Sequence, residues 1–154
     1  METVRPGSDN GKFGELCKVL NLYFYARLMS KHETPMTEWY WKRVGGLLIE
    51  EYPVISRGAN QGERRLDGVI IRDAPEGRIF CERVDISGCD VVVVQAKASR
   101  LGMSLMGQTL FSLQLVKALG PASAISVALC NADDAVLRPL LEAHEGCFVE
   151  VYSP

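Results

Sequence analysis

Apolar residues along this chain change period several times, and the changes mark out alternating helices and strands. Over residues 12–30, Leu16, Val19, Leu20, Tyr23, Phe24 and Leu28 recur at helical spacing. A polar break at 30–35 precedes a second helix, expected from Thr37 as N-cap to about Leu47, with Gly45 and Gly46 ending it. Residues 47–55 read as a strand, and Pro53 favours an edge position for it because it cannot donate to a ladder. The segment 56–63 is rich in Gly, Asn and Gln and reads as a loop. Strands are expected at 65–72, 78–86 and 91–98, separated by turns at 74–77 and 87–90. Residues 103–119 are so apolar that the predicted helix must be buried on more than one side, by the fold or by a partner chain. A short apolar strand at 124–130, a helix at about 134–143 capped by Asn131 or Asp133, and a last strand at 148–152 follow. The order α-α-β-β-β-β-α-β-α-β fits an α/β sandwich with a mixed sheet.

One strand breaks its own pattern. Residues 91–94 are four consecutive valines, the mark of a strand buried on both faces, yet Gln95-Ala96-Lys97 follows directly. Uncompensated polar burial costs several kcal/mol, roughly 2–7 on common scales, so polar residues here need a reason. With a strand period of two, Gln95 and Lys97 share a face. The preceding apolar strand, Arg64-Arg65-Leu66-Asp67-Gly68-Val69-Ile70-Ile71, carries one acid near its start. An acid, an amide and a lysine on two neighbouring core strands suggest a metal-dependent site for cutting phosphodiesters.

This arrangement resembles the PD-(D/E)xK, or restriction-endonuclease-like, nuclease superfamily. Asp67 matches that family's first acid, and Gln95-Ala96-Lys97 matches its acid-x-Lys tripeptide with Gln in place of the acid. The resemblance spans residues 36–130 and implies an α-β-β-β-α-β core, a central mixed sheet flanked by helices, here with an extra N-terminal helix. It implies a Mg²⁺-dependent deoxyribonuclease, an endonuclease rather than an exonuclease, with Mn²⁺ as an acceptable substitute. Asp67 and Gln95 would hold the metal. Lys97 would orient the attacking water and stabilise charge on the scissile phosphate. The plainer alternatives are an Asp67 ion pair with Arg64 or Arg65, a satisfied core amide at Gln95, and a Lys97 that reaches out to solvent.

One carboxylate and one amide are a weak donor set for a divalent ion, so a further acid is expected. Glu51 is the first candidate, because a hairpin of strands 47–55 and 65–72 would set Glu51 or Tyr52 opposite Asp67. Glu38, in the first turn of the second helix, and Glu15, at the start of the first helix, follow. Gln108, an amide inside the apolar helix, matches a Gln that faces the site in RecB-like branches. Arg100, Arg65, Arg64 and Arg57 are candidate phosphate contacts, which position nucleic acid without reading its sequence.

Bulk properties narrow the reading further. The chain has 154 residues, enough for one domain with a real core, and Met1–Asn10 is expected to be a flexible end. A net charge of −2 excludes a generally basic coat but not a local basic face. The five cysteines are scattered without a CxxC, which excludes a zinc ribbon and fits buried thiols in a reducing cytoplasm. His32 and His144 have no metal-ligand spacing, and there is no P-loop or dinucleotide fingerprint. No apolar run reaches the ~18 residues of a membrane span. DNA is the expected partner, with restriction, repair, recombination or a mobile element as the setting. A homodimer is expected, with a further subunit as a possible source of target recognition. The rival reading is a catalytically inactive member of the same fold that binds nucleic acid or protein.

Overall fold

The apolar runs become six strands, and their pairing makes one mixed sheet. The structure, a computed structural model, describes residues 31–154. The expected helix at 12–30 and the candidate Glu15 lie outside the described residues. Within them the order is α1 (Thr34–Val44), β1 (Leu47–Ile55), β2 (Arg64–Ile71), β3 (Gly77–Phe80), β4 (Asp90–Arg100), α2 (Met103–Lys117), β5 (Ser123–Ala132), α3 (Leu137–Glu142) and β6 (Cys147–Val151). The strands lie in the order β3-β1-β2-β4-β5-β6. The pairs β1–β2 and β2–β4 are antiparallel, while β1–β3, β4–β5 and β5–β6 are parallel. This is an α/β fold, and His32–Pro154 forms one compact unit.

Alternation along the central strands decides which helix covers which face. Val92, Val94 and Ala96 of β4, with Ile70 of β2 and Leu48 of β1, pack against Met36 and Tyr40 of α1. Val91 and Val93 turn the other way, with Val69, Ile71 and Val116 of α2. Further along that second face, Ala128 and Cys130 of β5 meet Leu105 and Leu113 of α2 and Leu141 of α3. The four valines are fully removed from water or nearly so. Each such burial is worth roughly 1.5–3 kcal/mol, which is why β4 occupies the middle of the sheet.

Several boundaries differ from expectation, each for a local reason. The helix α1 begins at Thr34, with Pro35 in its first turn, so Thr37 is a buried interior residue and no cap. Pro favours the first helical position because its missing N–H has no partner there anyway. The strand expected at 78–86 stops at Phe80, since β1 offers partners only from Leu47↔Gly77 to Glu50↔Phe80. Cys81 then adopts a φ of 54°, which turns the chain out of the extended state. Val84 and Ile86 still serve the core: Ile86 is buried, and the Tyr52 hydroxyl donates to the Val84 carbonyl at 2.9 Å. The helix α3 is shorter than expected, and the Asp134 carboxylate receives the N–H groups of Val136 and Leu137. Pro53 pairs with Arg65 of β2 but lies past the last β3 pair, where that side of β1 is an edge.

The feature that shapes the site is a fork in the sheet. The pairing of β2 with β4 runs only from Ile71↔Val91 to Gly68↔Val94. Beyond that, β2 stays with β1 as far as Arg64, and β4 stays with β5 as far as Arg100. Asp67 and Gln95 are the first residues past the parting.

Candidate active site

At the fork, β4 loses β2 as a ladder partner while still buried and still paired with β5. An unpaired backbone N–H there would be costly. Asp67 fills the gap: its Oδ2 accepts the Ala96 N–H at 2.8 Å. The side chain therefore does a structural task with one oxygen and keeps its charge at the mouth of the fork.

Glu51 stands across from Asp67, because Glu50↔Gly68 and Tyr52↔Leu66 flank it in the register. The hairpin reading of the sequence left Glu51 or Tyr52 in this place, and the register selects Glu51. Its φ is 50°, and Glu51 and Cys81 are the non-glycine residues with positive φ among the described residues. Such a conformation costs of order 1–3 kcal/mol in a non-glycine residue and persists only where the surroundings impose it. Burial is the main cause that pushes the Glu51 carboxyl up to about 7, and the Asp67 charge adds to it. Burial likewise pushes Asp67 up to about 6, against the Ala96 N–H and the Lys97 charge, which pull it down. Asp67 ionises first, and its charge then raises Glu51 further.

Gln95 continues the face of Val91 and Val93 and is 5% exposed. Its Nε2 donates to Ser112 Oγ of α2 at 2.8 Å. A buried donor left unpaired would cost about 1–3 kcal/mol, so the bond explains how the amide is tolerated. The helix α2 runs back along β4: Val116 packs in the cluster of Val93, and Ser112, one turn earlier, meets Gln95. One further turn back is Gln108, exposed, toward the Lys97 end of the strand. Lys97 is also exposed, and its charge reaches Asp67.

The other candidates divide. Glu38 is held by Lys42 at 3.0 Å and Arg78 at 3.6 Å, which keep its carboxyl below the usual range. Arg65 pairs with Glu63 at 3.0 Å, yet its charge still reaches Glu51 and favours ionisation there. Arg64 donates to the Glu63 carbonyl, and Arg100 donates to the Asp133 carbonyl. Arg57 is exposed on the loop before β2.

Two residues went unnoticed in the sequence. Glu33 precedes α1, and its charge raises both Asp67 and Glu51. The signal was Pro35, which starts the helix early and brings residue 33 to its N-terminal end. Ser112 is the second. Its signal was the row Ser104, Gln108 and Ser112, polar residues at four-residue steps along a strongly apolar helix.

Among the described residues no group of three or more His, Cys, Asp or Glu side chains is placed to hold a metal ion. The donors with the right chemistry for a hard cation are the Asp67 and Glu51 carboxylates, opposite each other in the β1–β2 register, while the Gln95 amide is bonded to Ser112 of α2. Two partly desolvated acids that resist ionising together are a donor set a divalent cation would stabilise, and Mg²⁺ keeps several waters for its remaining positions. Among the described residues no helix is long and apolar enough to cross a membrane. Comparison with protein-family models, with curated proteins and with solved structures found no match.

Proposed function

We propose that this protein is a Mg²⁺-dependent nuclease acting on DNA, of the restriction-endonuclease-like kind. The observation that supports the reading is the fork, where Asp67, opposite Glu51 in the β1–β2 register, accepts the Ala96 N–H between Gln95 and Lys97. The order α1-β1-β2-β4-α2-β5 is compatible with an α-β-β-β-α-β core in which β3 is a short edge addition. Asp67, Glu51 and the Gln95 carbonyl would hold Mg²⁺, with Mn²⁺ as substitute. A bound divalent ion supplies Lewis-acid polarisation of a phosphate and a more acidic water. Lys97 places an ammonium where charge develops on the scissile phosphate. Gln108, Arg65 and Arg100 border this region as candidate substrate contacts.

A second reading keeps the fold and removes the chemistry: a non-catalytic DNA- or protein-binding module. The Gln95–Ser112 bond favours it, because the amide in the acid's place is tied into the core. Cleavage assays on plasmid, linear and branched DNA, with Mg²⁺ and with chelator, separate the two. The nuclease reading expects chelator-sensitive cutting of closed plasmid, reduced roughly 10²–10³-fold by Lys97→Ala. Folded protein that binds DNA but cuts none of these substrates would establish the second reading.

A further inference from the structure

We infer that the ribbon of β1 and β2 beyond the fork enters a groove of duplex DNA and holds the phosphates beside it with Arg57, Arg64 and Arg83. The inference rests on the DNA reading of the site and names the form of DNA that it takes. Past Gly68 the sheet has two prongs: β1 and β2 continue to Ile55 and Arg64 without β4, and β4 continues with β5 to Arg100. The connection from β1 to β2 is a built turn. The Gly58 N–H donates to the Gln61 carbonyl at 3.1 Å, and the Gln61 side-chain nitrogen donates to the Ser56 carbonyl at 2.9 Å. Residues 56–64 are all exposed. At a rise of about 3.4 Å per residue, the tip stands up to ~20 Å from Asp67 at the base.

The arginines of this prong differ from those elsewhere. Arg43, Arg65, Arg72, Arg78 and Arg138 each lie within 3.6 Å of a carboxylate oxygen. Among the described residues Arg57, Arg64, Arg83 and Arg100 have no such ion pair, and the hydrogen bonds of the last three go to the Glu63 carbonyl, the Ser56 hydroxyl and the Asp133 carbonyl. The Ser56 bond ties Arg83 to the ribbon, and Arg100 ends the other prong. A phosphate therefore displaces no ion pair at these four positions. Of the acids close by in sequence, Glu63 is paired with Arg65, and Glu82 is exposed next to Arg83. In a chain of net charge −2 this is a local basic element. A two-stranded ribbon, its strands about 4.8 Å apart, fits the ~12 Å major groove of B-DNA. No aromatic residue lies between Ile55 and Arg65. Single-strand binders need aromatic faces on which bases stack, so the ribbon suits a duplex. Since Asp67 forms its base, a groove that takes the ribbon brings a phosphate backbone to the fork.

Salt dependence supplies the test, because each phosphate contact releases counterions. Binding is measured by fluorescence anisotropy on a labelled duplex of about 30 base pairs and on one of its strands, over a range of NaCl, with chelator present to prevent cutting. Wild type should bind the duplex more tightly than the strand. Arg57→Gln, Arg64→Gln and Arg83→Gln should each lower the slope of log affinity against log salt by about 0.9, and the triple variant should lose at least ~10-fold in affinity at low salt. The three lysine variants keep the charge and should keep the slope. Lys117→Gln removes an exposed charge at the end of α2 away from the fork and should leave the slope unchanged. Melting curves check that each variant is folded. Duplex binding that the triple variant retains at the wild-type slope, or a loss matched by Lys117→Gln, would overturn the role of the ribbon. Tighter binding to the single strand would overturn the choice of duplex. Folded wild type that binds neither DNA would refute the DNA reading itself, a result distinct from DNA binding that ignores the ribbon.

Discussion

Glu51 combines a left-handed backbone, partial burial and a second carboxylate across the strand pair. Each of these lowers stability in the metal-free protein. The sign follows from the shift. A carboxyl raised from 4.5 to about 7 in the folded state binds its proton more tightly folded than unfolded. Metal-free stability should therefore be highest below about pH 4.5 as far as this group is concerned, and fall as pH rises through about 7. Glu51→Gln removes the ionisation and should raise metal-free stability at pH 8 by on the order of 2 kcal/mol, while abolishing stabilisation by Mg²⁺. Denaturant titrations at pH 5 and pH 8, with and without Mg²⁺, check this; a stability gain equal at both pH values would remove the ionisation argument. Asp67 calls for a different substitution, because one of its oxygens holds the Ala96 N–H. Asp67→Asn keeps an acceptor and removes the charge, so it should melt at or above the wild-type temperature and lose at least ~10²-fold in Mg²⁺-dependent cleavage. Asp67→Ala should be inactive too, but should also lose about 1–3 kcal/mol by leaving a buried donor unpaired. An active Asn variant would remove Asp67 from the metal site.

Elements decide where those residues stand. The fork needs β2 and β4 to part after Gly68, and α1 presses on the sheet at that residue. A Cβ on Gly68 would lie 3.2 Å from Thr37 Cγ2, 3.3 Å from Leu48 Cδ1 and 3.6 Å from Val94 Cβ. Gly68→Val should therefore destabilise the fold by about 1–3 kcal/mol through overpacking, and Gly68→Ala by less. Urea unfolding would measure both, and a neutral Gly68→Val would show that α1 yields there freely. The strands β1, β2, β4 and β5 were legible in the sequence because their apolar runs are long and bounded by turn residues. The hairpin of β1 and β2 was legible to within one residue, leaving Glu51 or Tyr52 opposite Asp67, and the register selects Glu51. The 78–86 segment misled because its apolar residues keep alternating past Phe80, although no strand remains beside it to pair with. The fork was not legible: it arises from which strands stay together, a property of the whole sheet. Glu33 was hidden for a similar reason, as its nearness to Asp67 depends on where α1 crosses β2 and β4.

At the scale of the molecule, the helix α2 is incompletely covered by the described residues, and the expected helix 12–30 lies outside them. Its buried row is Leu105, Thr109, Ser112, Leu113 and Val116, facing the sheet and α3. The expected helix 36–47, realised as α1, packs on the opposite face of the sheet and cannot cover it. Met103 and Phe111, at the i and i+8 positions of one row with Gly107 between them, are 78% and 67% exposed. Single exposed apolar residues are ordinary, but a row of them on a helix beside a proposed site suits contact with a second copy. Two-fold pairing would also suit double-strand cutting, since each DNA strand needs its own site. The expected outcome is a mass of twice the 17.0 kDa chain by light scattering at micromolar concentration. Phe111→Lys should shift that mass to one chain without lowering the melting temperature of the monomer, because the side chain contributes little to the core. It should also convert double-strand breaks on plasmid into nicks, since an isolated chain carries one site. A mass of one chain for the wild type would rule out the dimer, and a dimer untouched by Phe111→Lys would move the interface away from α2.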